Sequence, residues 1–168
     1  MAKAKFPEDI ETLAEAREWI KEQIQNKGAM CPCCKQFAKV HARKMTASMG
    51  QGLVTMYRAG EFDYHHIPSL FTRARVAASN DGALTRHWGF IEPMPEAPAR
   101  GDGNPRKGWW RLTDSGRAFI EGRITSQKKC MIYSQRFLGL TGERVSISDV
   151  LGEPFDYREL MDWVVSDA

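Results

Sequence analysis

No stretch of this chain approaches the roughly 20 consecutive apolar residues that a membrane-spanning helix requires. The opening Met1-Ala-Lys-Ala-Lys5 also lacks the apolar core of a signal peptide. A soluble, cytoplasmic protein with no membrane partner is the expectation. A phosphate-cradling glycine loop is absent as well: Gly101, Asp102, Gly103 and Asn104 lack both the following lysine and the helix. No serine or cysteine stands in a nucleophile elbow. Asp63 lies near His65 and His66, but such proximity arises often by chance. No catalytic residues are assigned, and the chain reads as non-enzymatic. Cysteine is scarce, with four in 168 residues, and three of them fall within Cys31–Cys34.

Acidic residues are missing from Gln23 to Gly60, where Lys27, Lys35, Lys39, Arg43, Lys44 and Arg58 are all basic. Across Gln23–Gly142 there are 18 Lys/Arg against 8 Asp/Glu, whereas Glu143–Ala168 holds seven acids and two bases. The net charge of +3 therefore conceals a basic middle behind an acidic tail. A local basic surplus is the footprint expected for phosphate binding. The competing reading is a solvated face that keeps the protein in solution.

Hydrophobic content of 42% and charged content of 27% are ordinary for a globular chain. Thr12 and Glu15 form a capping box, and Leu13, Ala16, Ile20 and Ile24 follow at helical spacing to Asn26. Phe37, Val40, Met45, Met49, Leu53, Val54 and Tyr57 predict a long helix to about Arg58, with a break near Gly50. Glu61–Ile67 alternates and predicts a strand with Phe62 and Tyr64 on one face. Leu70–Ala77 reads as a helix capped by Ser69, and Asn80–Trp88 as a helix capped by Ser79 and ended by Gly89. Phe90–Glu92 and Trp109–Leu112 predict strands on either side of a Pro/Gly loop. Thr113 caps a helix to about Glu121. Cys130–Tyr133 is expected to pair with Arg144–Ile147 across Gly139–Gly142. Ser148 then caps a short turn, and Phe155–Val165 forms an acidic last helix. The organisation read from these signals is residues 1–30 as an N-terminal amphipathic helix, 31–122 as a domain opening with the cysteine cluster, and 123–168 as a β-hairpin and acidic helix.

The order helix, strand, helix, helix, strand, loop, strand over about Lys35–Arg111 resembles a winged helix-turn-helix. The words Leu84-Thr-Arg-His-Trp-Gly-Phe-Ile-Glu92 and Trp110-Arg-Leu-Thr-Asp-Ser-Gly116 are similar to those of MarR- and PadR-like regulators. In that frame Leu84 anchors the second helix, Gly89 reverses the chain, Phe90 and Ile91 fill the core, and Thr113 starts a packing helix. The whole chain also resembles small phage and prophage proteins, a likeness that implies a mobile-element context and no activity. The fold class expected is α+β and mainly helical: a winged helix-turn-helix core with an N-terminal helix and a C-terminal hairpin-plus-helix extension.

The resemblance implies double-stranded DNA as partner. Arg73, Arg75 and Arg86 are the first candidates for phosphate contact, against ordinary surface ion pairing. Arg100, Arg106 and Lys107 in the wing loop either reach a groove or are solvated. Lys39, Arg43 and Lys44 add to the basic surface. Ser79, Asn80, Ala83 and Arg86 would face the bases, with Asn and Arg suited to adenine and guanine edges. Asp81 and Gly82 depart from the pattern. Adjacent Trp109 and Trp110 point to opposite faces of a strand, for packing or for stacking on a base. Cys31 and Cys34 form one C-x-x-C, half of a zinc knuckle, which holds either a structural zinc or reduced thiols. His65 and His66, successive on a strand, cannot easily share one metal. Two other function classes stay open. One is a phage-encoded module that binds a host protein complex and inhibits a nuclease or defence system. The other is a metal-dependent or redox enzyme. A homodimer through the first helix fits the DNA-binding reading.

Overall fold

The computed structural model describes residues 6–7, 9–76, 80–95, 108–134 and 136–152. It is a mixed α/β chain with three small antiparallel sheets. Among the described residues no helix is long and apolar enough to cross a membrane. Contacts divide the chain into two compact units: Met1–Arg43 with Met131–Gly139, and Lys44–Cys130 with Leu140–Ala168.

The first unit begins with α1 (Leu13–Gln25), closed by the capping box of Thr12 and Glu15. The Glu15 carboxylate accepts the Thr12 amide at 2.9 Å while the Thr12 hydroxyl accepts the Glu15 amide at 3.2 Å, so two amides that the helix leaves open are satisfied. The ring of Phe6 meets Trp19 edge to face at 5.2 Å. Next, β1 (Ala29–Met30) pairs antiparallel with β2 (Phe37–Ala38), Ala29 opposite Ala38 and Met30 opposite Phe37. Strand β3 (His41–Lys44) follows. The long helix expected from residue 37 is thus overturned in its first half. The apolar spacing of Phe37, Val40 and Met45 belongs to strands and loops, and the helix starts only where Thr46 can cap it.

In the second unit α2 (Ala47–Gly60) is continuous, with Thr46 at its N-cap. No break occurs at Gly50. A Cβ there would meet Val150 and Leu151, and one at Gly52 would lie 2.7 Å from Phe71 Cζ. These glycines admit neighbours closely rather than kink the helix. Strand β4 is only His65–His66; Phe62 lies outside it and is 65% exposed. Helix α3 (Ile67–Arg73) starts two residues earlier than Ser69, with Pro68 in its first turn, where a missing amide costs nothing. A 3-10 helix spans Asn80–Trp88. Strands β5 (Ile91–Pro93) and β6 (Trp109–Leu112) pair antiparallel, and β4 pairs with the far edge of β6, giving the order β4-β6-β5.

Helix α4 (Asp114–Ile120) follows its cap Thr113, as expected. The core of this unit gathers Leu53 and Met56 of α2, Phe90, Leu112 of β6, and Phe119 and Ile120 of α4, all at most 2% exposed. Phe90 and Phe119 stack with centroids 4.5 Å apart. Strands β7 (Ser126–Tyr133) and β8 (Arg136–Val145) form a hairpin that joins β3 in the order β3-β7-β8. The reversal falls between Tyr133 and Arg136, not at Gly139–Gly142, which lie within β8. The last described helix, α5 (Ile147–Leu151), is capped by Ser146, not Ser148. Ser146 and Asp149 build a second capping box, and the Asp149 carboxyl is held below its usual value chiefly by the Ser146 amide. The expected helix Phe155–Val165 lies outside the described residues.

Candidate nucleic-acid interface

The described segments between α3 and β6 carry Arg73, Arg75 and Arg86. Helix α3 closes with a left-handed turn. The Val76 amide donates to the Phe71 carbonyl at 3.0 Å and the Arg75 amide to the Thr72 carbonyl at 3.2 Å. This is a Schellman closure whose left-handed position, usually glycine, is held by Arg75 at φ 53°. A side chain in that region costs about 1–2 kcal/mol. Arg73, two residues earlier, and Arg75 are both exposed.

The following helix is a 3-10 helix, not the α-helix that the sequence predicts. With three residues per turn, positions i and i+3 eclipse. Gly82, Thr85 and Trp88 accordingly form one buried ridge. A Cβ at Gly82 would stand 2.5 Å from Phe71 Cε2, so the glycine lets this helix close on the ring. The Thr85 hydroxyl donates to the Gly82 carbonyl at 2.7 Å, and Trp88 Nε1 donates to the Gln127 carbonyl at 2.7 Å. Leu84, expected as the anchor, is only half-buried; Thr85 and Trp88 take that role. Backbone positions 80, 83 and 86 share another ridge, where Ala83 is half-buried and Arg86 exposed. The guanidinium of Arg86 lies 5.8 Å from the centre of the Trp110 ring.

Gly89, at φ 73°, ends the 3-10 helix in the same way that Arg75 ends α3. Its amide donates to Arg86 and the Phe90 amide to Thr85. Thr113 then ties three pieces together. Its hydroxyl donates to the Gly89 carbonyl and accepts the Gly116 amide at 3.1 Å, and its own amide donates to the Phe90 carbonyl at 3.0 Å. A Cβ on Gly116 would overlap that same Phe90 carbonyl. The threonine and glycine of the Leu112-Thr-Asp-Ser-Gly116 word are therefore required by backbone packing.

On β6 the alternation places Trp110 with Leu112 and Trp109 with Arg111. Trp109 is the register partner of His66, and their rings lie 5.7 Å apart. His65 faces the other way, as its sequence position predicts: its Nε2 is 2.8 Å from the Gly60 carbonyl, whereas His66 Nδ1 is 2.7 Å from the Ser69 hydroxyl. Arg111, not singled out from sequence, is held by Glu92 at 2.5 Å and lies 4.9 Å from the Tyr64 ring centre. His87 is pushed below its ordinary value, first by burial and then by the positive charge of Arg86.

The predicted cations are not all brought together. Lys44, Arg73, Arg75, Asn80 and Arg86 belong to the second unit, and Lys39 and Arg43 to the first. Lys39 precedes β3 and is half-buried; Arg43 and Lys44 are exposed on β3 and not on the helix that their spacing implied. Asn80 is described by its backbone alone. Ser79, Arg100, Arg106 and Lys107 lie outside the described residues.

Cys31 and Cys34 sit on the turn between β1 and β2. Amides of Cys34 and then Cys33 hydrogen-bond the Cys31 sulfur and hold its thiol below the ordinary value. Among the described residues no group of three or more His, Cys, Asp or Glu side chains is arranged to hold a metal ion. Comparison of the chain with family models, with curated proteins and with solved structures returns no match.

Proposed function

We propose that the second unit is a winged helix-turn-helix that binds double-stranded DNA and that the chain acts as a phage or prophage regulator. The observation that carries this reading is the order of α2, β4, α3, the 3-10 helix, β5 and β6, with β4, β6 and β5 in one antiparallel sheet. In that arrangement α3 and the 3-10 helix form the helix pair, and the segment between β5 and β6 is the wing. Exposed Arg73, Arg75 and Arg86 provide guanidiniums whose planar donor forks suit phosphate oxygens. Arg86 beside Trp110 supports contact at the base of the wing. Arg100, Arg106 and Lys107 extend the same charge along the wing by sequence. Lys39, Arg43 and Lys44 add to the general basic character.

The 3-10 geometry narrows base reading to one ridge, with Asn80 and Arg86 as its polar members. Most of the affinity in this reading comes from the DNA backbone, which positions a protein without specifying sequence. The direct test is charge reversal. Arg73→Glu with Arg86→Glu is expected to weaken binding to random-sequence duplex DNA by at least tenfold at low salt, read by fluorescence anisotropy. Unchanged affinity in a variant with wild-type circular dichroism would refute the assigned face.

A further inference from the structure

The cysteine turn of the first unit is not used by the DNA-binding reading, and it has a built geometry. Strands β1 and β2 hold its ends in register, and the Cys31 amide donates to the Gln36 carbonyl at 2.8 Å. The chain then doubles back so that the Lys35 amide donates to the Cys31 carbonyl at 2.9 Å, with Lys35 left-handed at φ 60°. Inside this loop the amides of Cys34 and Cys33 point at the Cys31 sulfur. Such amides stabilise a thiolate and are the donors that a metal-bound sulfur needs. Cys31 is half-buried, while Cys34 and Cys33 are exposed, so the sulfurs open outward.

We propose that Cys31 and Cys34 bind a thiophilic divalent ion, zinc foremost, and that the same pair from a second copy of the chain completes its tetrahedron. A closed zinc site takes four ligands, with sulfurs at about 2.3 Å. The C-x-x-C pair supplies two, and among the described residues no group of three or more His, Cys, Asp or Glu side chains is arranged to hold a metal ion. A two-fold axis through the ion supplies the other two from an identical turn and leaves no ligand position open. Zinc entry then displaces the protons of four thiols, leaving a centre with two net negative charges. The surrounding sequence suits that charge: Lys27 precedes β1, Lys35 sits in the turn, Lys39 follows β2, and no acid occurs from Gln23 to Gly60.

The test uses the full chain, reduced and stripped with chelator, titrated with cobalt(II) and then zinc(II). Expected are an intense thiolate-to-cobalt charge-transfer band that saturates at one ion per two chains, its loss on zinc addition, and a doubling of mass by light scattering. Renewed chelation should restore the monomer mass. The double variant Cys31→Ser/Cys34→Ser should lose the band and the mass change, whereas Cys33→Ser and Cys130→Ser keep both. The chelated wild-type chain gives the same comparison without relying on the variant's folding. No charge-transfer band, saturation at one ion per chain, or a mass that ignores metal would each overturn the proposal. These readouts are independent of DNA binding.

Discussion

At the scale of single residues, Arg75 separates stability from function. Its left-handed backbone is the conformation glycine adopts freely, yet the position carries a guanidinium beside a second exposed arginine. Arg75→Gly should relieve about 1–2 kcal/mol of backbone cost, against about 0.5–1 kcal/mol for glycine's greater unfolded-state freedom. The variant is expected to unfold at slightly higher denaturant while its DNA affinity falls and its salt slope drops by roughly 0.9, the signature of one lost phosphate contact. Lower stability together with unchanged affinity would assign Arg75 a purely structural role. His87 makes a pH prediction. Burial and Arg86 favour its neutral form in the fold, so the unfolded chain binds the proton more readily. The contribution of His87 is complete above the unfolded value of about 6.5 and is lost as pH falls through it toward the lower folded value. Denaturant midpoints should decline as pH falls below about 6.5, and His87→Gln should flatten part of that decline.

At the scale of elements, what was legible in the sequence divides by how local its signal is. The caps Thr12 with Glu15 and Thr113 fall where they are read, and the strands on either side of the Pro/Gly segment fall within one residue of it, because caps and alternation are short-range signals. The long helix fails because Phe37, Val40 and Met45 match a helical spacing by coincidence: Phe37 sits in a two-residue strand too short to display alternation, and Val40 and Met45 flank β3 in loop positions. Thr46, accepting the Met49 amide, was the start signal to follow. The hairpin fails for the opposite reason. Gly139 and Gly142 look like a turn, but they sit within β8, and the reversal comes after Tyr133, beside a left-handed Ser134. In the 3-10 helix the clue was a period of three: Gly82, Thr85 and Trp88 form the buried ridge, which a search at period 3.6 does not find. Gly82 stands out in the sequence only as a departure and Gly116 only as the close of a family-like word, because the partners that demand them, Phe71 and the Phe90 carbonyl, are distant along the chain. Gly116→Ala should therefore cost about 3 kcal/mol despite alanine's better helix propensity, since backbone cannot yield as a side-chain tip does. A midpoint within error of wild type would show that α4 can shift away from Phe90.

At the scale of the whole molecule, the modest net charge of +3 is the sum of a basic middle and an acidic end. Of the candidate cations, Lys44, Arg73, Arg75 and Arg86 belong to the second unit and Lys39 and Arg43 to the first, while Arg100, Arg106 and Lys107 lie outside the described residues. That distribution was legible as charge in the sequence. Which cations share a unit was not, because β3 and the hairpin bring distant segments of chain together. The central claim is that this surface grips phosphates. Its most direct test is the anisotropy of the full chain on random-sequence duplex DNA across a salt series. Three to six arginine and lysine contacts predict binding at low salt whose log affinity falls against log salt with a slope of roughly −3 to −5. No binding at the lowest salt, or binding indifferent to salt, would contradict it and turn the search toward a protein partner.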